Sequence, residues 1–152
     1  MRQIVILFIL VLSIASCKKG DSEAENVDPR EQYIGIYDID YTSKTLIGTI
    51  DFNEDSGKGL ITFSKGDAAN ELKMTTEFPG LSSVTDVVKL DGTKFSINRT
   101  RDQMRLGNKQ YDAEFLGSGL FEGKVVTVTS VTTVNQSGTV AKWTRSYKGS
   151  KR

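Results

Sequence analysis

Histidine is absent from this 152-residue chain, cysteine and tryptophan occur once each, and proline occurs twice. Without imidazole there is no Ser-His-Asp or Cys-His nucleophile pair and no histidine-ligated metal. A lone cysteine excludes an internal disulfide and any cysteine-rich zinc or iron–sulfur site. An enzyme built from this chain would have to rely on carboxylate, lysine, serine or tyrosine chemistry. The expectation is therefore a protein that is not an enzyme and needs no metal or cofactor. Long apolar runs are also missing. The longest, Ile4 to Leu12, has nine residues, far short of the roughly 20 that cross a bilayer as a helix. The length fits a single domain.

What is present falls into three segments. Residues 1–16 read as an export signal: Arg2 supplies the positive start, Ile4 to Leu12 the apolar stretch, and Ala15 and Ser16 the small residues before Cys17. Residues 17–31 hold Asp21, Glu23, Glu25, Asp28 and Glu31 against Lys18, Lys19 and Arg30, with almost nothing apolar. Such a stretch buries too little surface to offset its ordering entropy, so a flexible acidic tether is expected. Residues 32–152 form the domain.

In that domain the period-2 pattern dominates. Leu72, Met74, Thr76 and Phe78 alternate with Glu71, Lys73, Thr75 and Glu77, and residues 94–98 and 110–115 repeat the alternation. Strands are expected near 33–42, 45–53, 58–65, 70–78, 83–90, 93–99, 109–116, 118–134 and 138–148. Turn signals at Asp91-Gly92 and at Asn135-Gln136-Ser137-Gly138 mark hairpins. Thr100 to Gln103 fits a capping box for a short helix. This spacing predicts an all-β fold, an antiparallel up-and-down barrel of about eight strands, with a β-sandwich as the alternative.

Two resemblances add to this. Ile14-Ala15-Ser16-Cys17 resembles a bacterial lipobox, which implies that Cys17 is lipidated with fatty acyl chains such as palmitate and becomes the mature N-terminus. Several chains anchor a protein far more firmly than one. Lys18 after the cysteine, and the run Cys17 to Glu23, are similar to tethers of Bacteroidetes-type lipoproteins. That similarity implies an outer-membrane location, with surface display where the acids serve as an export cue rather than as a plain solvated linker. Second, Gly35-Ile36-Tyr37 at the start of the first strand resembles the G-x-W motif of lipocalins and related calycin barrels, with tyrosine in place of tryptophan. The resemblance implies that Tyr37 plugs the closed end, with Gly35 beside it. It also implies that Arg145 of the last strand, on one face with Trp143, packs over the plug.

Other motifs lead to bland readings. Asp51 to Gly57 lacks the glycine and glutamate of a calcium loop and reads as an acidic hairpin loop. Gly117-Ser118-Gly119 lacks the Lys-Ser/Thr of a phosphate loop and reads as a bend or bulge. Asp38 and Asp40 share one strand face, the one paired-carboxylate arrangement worth noting. Charge is polarised: residues 32–92 carry five bases and ten acids, residues 93–152 eleven bases and four acids. Pairing of late strands with early ones explains this best, a basic patch for an anionic partner second, and nucleic acid is not expected.

The function expected is a membrane-anchored, non-catalytic exported protein that binds a small apolar or amphipathic ligand in, or at the mouth of, the barrel. Candidate lining residues are Leu72, Met74, Phe78, Phe95, Ile97, Tyr111 and Phe115. The alternative is a cell-envelope interaction, adhesion or inhibitor module with a solid core.

Overall fold

The computed structural model describes residues 27–152. The export signal, Cys17 and the first part of the tether lie outside the described residues.

Nine strands form one antiparallel sheet. They are β1 (Gly35–Ile47), β2 (Ile50–Lys65), β3 (Glu71–Glu77), β4 (Val84–Asp91), β5 (Lys94–Ile97), β6 (Arg101–Leu106), β7 (Lys109–Glu122), β8 (Val125–Gln136) and β9 (Thr139–Lys151). Each strand pairs with its neighbour in sequence except at β5, which pairs with β4 and β7; β9 returns to pair with β1 and closes the barrel. The architecture is an up-and-down barrel of eight staves, not a sandwich.

β5 and β6 share one stave. Ser96 faces Ser118 and Arg101 faces Glu114, so five steps on one side oppose four on the other. One extra residue near Asn98-Arg99-Thr100 makes a bulge, which reverses the in-out alternation. Phe95, Ile97 and Arg99 point inward before it; Asp102, Met104 and Leu106 do so after it, leaving Arg101, Gln103 and Arg105 outside. The short helix expected from Thr100 is therefore a strand: Thr100 belongs to the bulge, and Gln103 is an outward residue of β6 paired with Asp112. The acidic loop expected at Asp51 to Gly57 is likewise strand: β1 and β2 turn at Gly48-Thr49, and the acids lie along the exposed flank of β2. The long run expected at 118–134 is split at Gly123-Lys124 into β7 and β8.

One end of the barrel is filled. Tyr37, Phe63, Phe95 and Phe121 meet there, with ring centroids of Phe121 5.0 Å from Phe63 and 5.1 Å from Phe95. Gly119 permits this, because a side chain at that inward position would stand 2.1 Å from the Phe95 ring. The segment before β1 crosses this end, and Tyr33 stacks on Phe121 with centroids 4.3 Å apart. The Tyr33 hydroxyl donates to the Gly92 carbonyl, and the Tyr37 hydroxyl donates to the Tyr33 carbonyl. Arg30 ties the same segment to the β2–β3 turn, donating to the carbonyls of Ala68 at 2.6 Å and of Gly66 and Glu71 at 3.3 Å. Asp28, Arg30 and Glu31, which composition places in the tether, are thus held against the barrel through Asp28–Arg30 and Lys65 ion pairs.

Candidate functional site at the barrel mouth

At the other end the wall is incomplete. β3 pairs with β2 only from Leu60 to Lys65, and β4 begins at Val84, so both stop short of the long hairpins β1–β2, β6–β7 and β8–β9. The turn Phe78 to Ser83 lies at the base of the resulting notch. A cleft enters there in two adjoining lobes that share Phe78, Val84, Trp143, Arg145 and Tyr147. The outer lobe, about 210 Å³, adds Tyr41, Ser43, Asp55, Leu81 and Ser82. The inner lobe, about 170 Å³, reaches Met74, Asp86, Ile97, Arg99, Asp102 and Phe115.

Aromatic rings make the walls. Phe78 packs against Tyr41 and Tyr147, with centroids 4.7 and 6.0 Å away. Trp143 donates its indole N–H to the Ser43 hydroxyl at 2.5 Å, which fixes the ring plane. The Arg145 guanidinium lies over that ring, 3.3 Å from its centroid.

The inner lobe is charged. Arg99 Nε lies 3.3 Å from Asp86 Oδ1, out of line for a hydrogen bond, and Arg99 Nη1 lies 3.6 Å from Asp102 Oδ1. The Arg99 guanidinium also sits 4.0 Å over the Phe115 ring. Thr132 donates its hydroxyl to Asp102 Oδ2 at 3.3 Å. Burial pushes the Asp86 carboxyl above the ordinary carboxylate range; Arg99 opposes the shift and Asp102 adds to it. The bulge creates this cluster, since it is what turns Asp102 inward beside Arg99.

The sequence candidates separate by height in the barrel. Met74, Phe78, Ile97 and Phe115 line the cleft. Leu72 and Phe95 belong to the filled end, and Tyr111 packs with Met104, Ala113, Val134 and Ala141 near the distal hairpins. Tyr37 lies at the closed end, fully buried, with Gly35 two residues before it. Arg145 does not lie over Tyr37. Register places Lys151 opposite Tyr37 and Arg145 opposite Ser43, six residues away, or roughly 20 Å along the strand. β9 runs to Lys151, beyond the expected end at 148, and the later residue takes the place beside Gly35. The Lys151 stem covers Gly35, whose φ of 143° also favours glycine, and its ammonium donates to the Gln32 carbonyl at 3.2 Å.

Sequence reasoning missed Tyr33, Arg99, Asp86 and Asp102. Tyr33 opens the expected first strand in phase with Tyr37, but the strand begins at Gly35 and Tyr33 folds over the closed end, which alternation does not reveal. Asp102 falls out of phase with Phe95 and Ile97 because of the bulge. Asp38 and Asp40 face outward, Asp38 bound by Arg152 at 2.7 and 2.9 Å and Asp40 3.6 Å from Lys58. Pairing of β9 with β1, which brings Arg152 to Asp38, thus accounts for part of the charge asymmetry, whereas the Asp40–Lys58 pair lies within the acidic half. Among the described residues no three His, Cys, Asp or Glu come together as a metal-binding group.

No protein-family model matches the chain, and no curated protein matches it in sequence. In structure it is similar to a protein of unknown function from the DUF3598 family of Nostoc punctiforme, at 13% identity and a TM-score of 0.44. That likeness covers 79% of this chain and 48% of the other, so this chain spans about half of its neighbour's length. The class of protein defined by the fold is an antiparallel eight-staved β-barrel with one filled end and one cleft end.

Proposed function

We propose that this protein is an exported lipoprotein, acylated at Cys17 and held at the outer membrane, whose barrel binds a small apolar or amphipathic ligand without chemically changing it. The observation that carries the binding reading is the cleft where β3 and β4 stop short, walled by Phe78, Val84, Trp143 and Tyr147. Concave sites with apolar walls and a few convergent polar groups are where small ligands bind. Both lobes fall below the roughly 300 Å³ at which drug-sized pockets begin. The ligand is therefore small, or reaches the cleft with one end only. The first described residues cross the closed end, so an anchored chain would enter there and leave the mouth facing away from the attachment point.

Trp143 is the lone tryptophan and stands in the cleft wall, so its fluorescence reports on this site alone. Titration with the neutral probe 3-phenyl-1-propanol is expected to shift its emission saturably, and Phe78→Ala to weaken that response at least several-fold. A linear, non-saturating response would remove the binding claim. For the anchor, Cys17→Ser in the full chain should move the protein from the membrane fraction to the soluble one; unchanged fractionation would refute lipidation.

A second reading, a protein-interaction module, draws on the filled half of the barrel and on an outer groove lined by Arg101, Leu116 and Lys142, where Leu116 is 75% exposed. Charge reversal at Lys142 and Lys148 that abolishes partner capture with unchanged melting would favour it.

A further inference from the structure

We infer that the ligand taken at the mouth is an organic anion with a compact apolar body, and that Arg145 is the residue that binds its charge. This rests on the reading of the cleft as a ligand site and specifies the chemistry of its occupant.

Most charged groups of the cleft are already engaged. Asp86 and Asp102 both lie against Arg99, and Asp102 also accepts a hydrogen bond from Thr132. Asp55, at the rim, accepts a hydrogen bond from the Tyr41 hydroxyl at 3.1 Å. Arg145 differs from all of these. It is half-buried, lines both lobes where they join, and among the described residues has no carboxylate within 4.0 Å and no hydrogen-bond acceptor for its side chain. A guanidinium carries five N–H donors in a planar fork that suits a carboxylate or phosphate. Stacking on Trp143 holds the plane of that fork while leaving its edge free. The indole is in turn fixed by its bond to Ser43. An unpaired, oriented guanidinium at the junction of two cavities is prepared for an anion.

Position and shape define the rest of the ligand. The inner lobe holds two carboxylates, so the anionic end is disfavoured deep in the barrel. Beside Arg145 the outer lobe offers Phe78, Leu81 and Val84, and the last two are 69% and 47% exposed, a pair of apolar side chains at the rim with little to cover them. An apolar body resting on these three, with its charged group on Arg145, fits a lobe of about 210 Å³. A long acyl chain does not, because the barrel below is filled by Phe63, Phe95 and Phe121.

The test compares three probes of one shape on the intact domain: 3-phenylpropionate, 3-phenyl-1-propanol and 3-phenylpropylammonium, each titrated against Trp143 fluorescence. The expected result is that the carboxylate binds at least about tenfold more tightly than the alcohol, and the ammonium more weakly than either. Arg145→Gln should bring the carboxylate down to the level of the alcohol, and Arg145→Lys should retain part of the preference. Melting temperatures of both variants establish that they fold. Equal binding of acid and alcohol to the native protein, or a preference that survives Arg145→Gln, would overturn the assignment of charge while leaving the cleft a ligand site. Failure of all three probes to bind would overturn the site itself, and this inference with it.

Discussion

Two inward glycines and two aspartates show how single residues set this barrel's packing and its charge balance. Gly119 is occupied in effect by the Phe95 ring, and Gly117 by Ile97 and Phe115. Gly119→Ala should destabilise the domain by about 1–3 kcal/mol in urea unfolding, the usual cost of overpacking. Phe121→Ala, which removes a ring touching Tyr33, Phe63 and Phe95, should cost about 3–5 kcal/mol. Asp28 presents an electrostatic case. Hydrogen bonds from Arg30 hold its carboxyl well below the usual carboxylate range, with Lys65 adding to the effect. A lowered folded-state value means that Asp28 contributes stability above about pH 4, its unfolded value, and that this is lost as pH falls toward the folded one. Asp28→Asn should therefore flatten the acid limb of the stability curve below pH 4; a limb as steep as the native one would contradict the account. Asp86 has the opposite sign. Its raised value means the fold prefers the neutral form, so its contribution becomes less favourable as pH rises from the unfolded value through the folded one.

Among the elements, the turn and pairing of the β8–β9 hairpin were legible in the sequence, but not its far ends, since β8 was joined to the end of β7 and β9 was expected to stop at 148. Valine and threonine alternate along β8, and the turn at Ser137-Gly138 supplies two left-handed residues, with φ of 50° and 84°. Serine is a poor occupant of that conformation and asparagine a better one. Ser137→Asn should raise stability by a few tenths of a kcal/mol up to about 1 kcal/mol, measured by thermal unfolding. β3 was equally clear from Leu72, Met74 and Thr76. The β5–β6 stave was not, and the reason is physical: a bulge breaks the period on which strand recognition depends, so Thr100 to Gln103 reads as a helix cap. The length of β2 was hidden for a different reason. Its acids and Gly57 look like a turn, yet they pair with β1 along an exposed flank beyond the end of β3, where no buried face demands alternation. Both obscured elements border the notch, so the least regular part of the pattern coincides with the cleft.

For the whole molecule, composition and turn spacing pointed to an antiparallel all-β fold, with the up-and-down barrel ahead of a sandwich, and it is the pairing of β9 with β1 that decides between them. They could not say which inward residues meet at which height, since that follows from register. Hence Leu72, Phe95 and Phe115 look equivalent in sequence, although the first two fill the closed end and the third lines the cleft. Arg145 was singled out as a plug partner, and its place at the mouth follows from where β9 pairs with β1. The described residues form a barrel with a solid floor and a small cleft at the opposite end, the cleft we propose as the ligand site. Backbone amide shifts of the uniformly ¹⁵N-labelled domain, recorded during titration with 3-phenylpropionate, test this most directly. The account predicts saturable shifts concentrated at Phe78, Leu81, Val84, Trp143, Arg145 and Tyr147, with Tyr33, Tyr37 and Phe121 unmoved. Shifts centred on the closed end or on the outer face, or none at saturating probe, would contradict it.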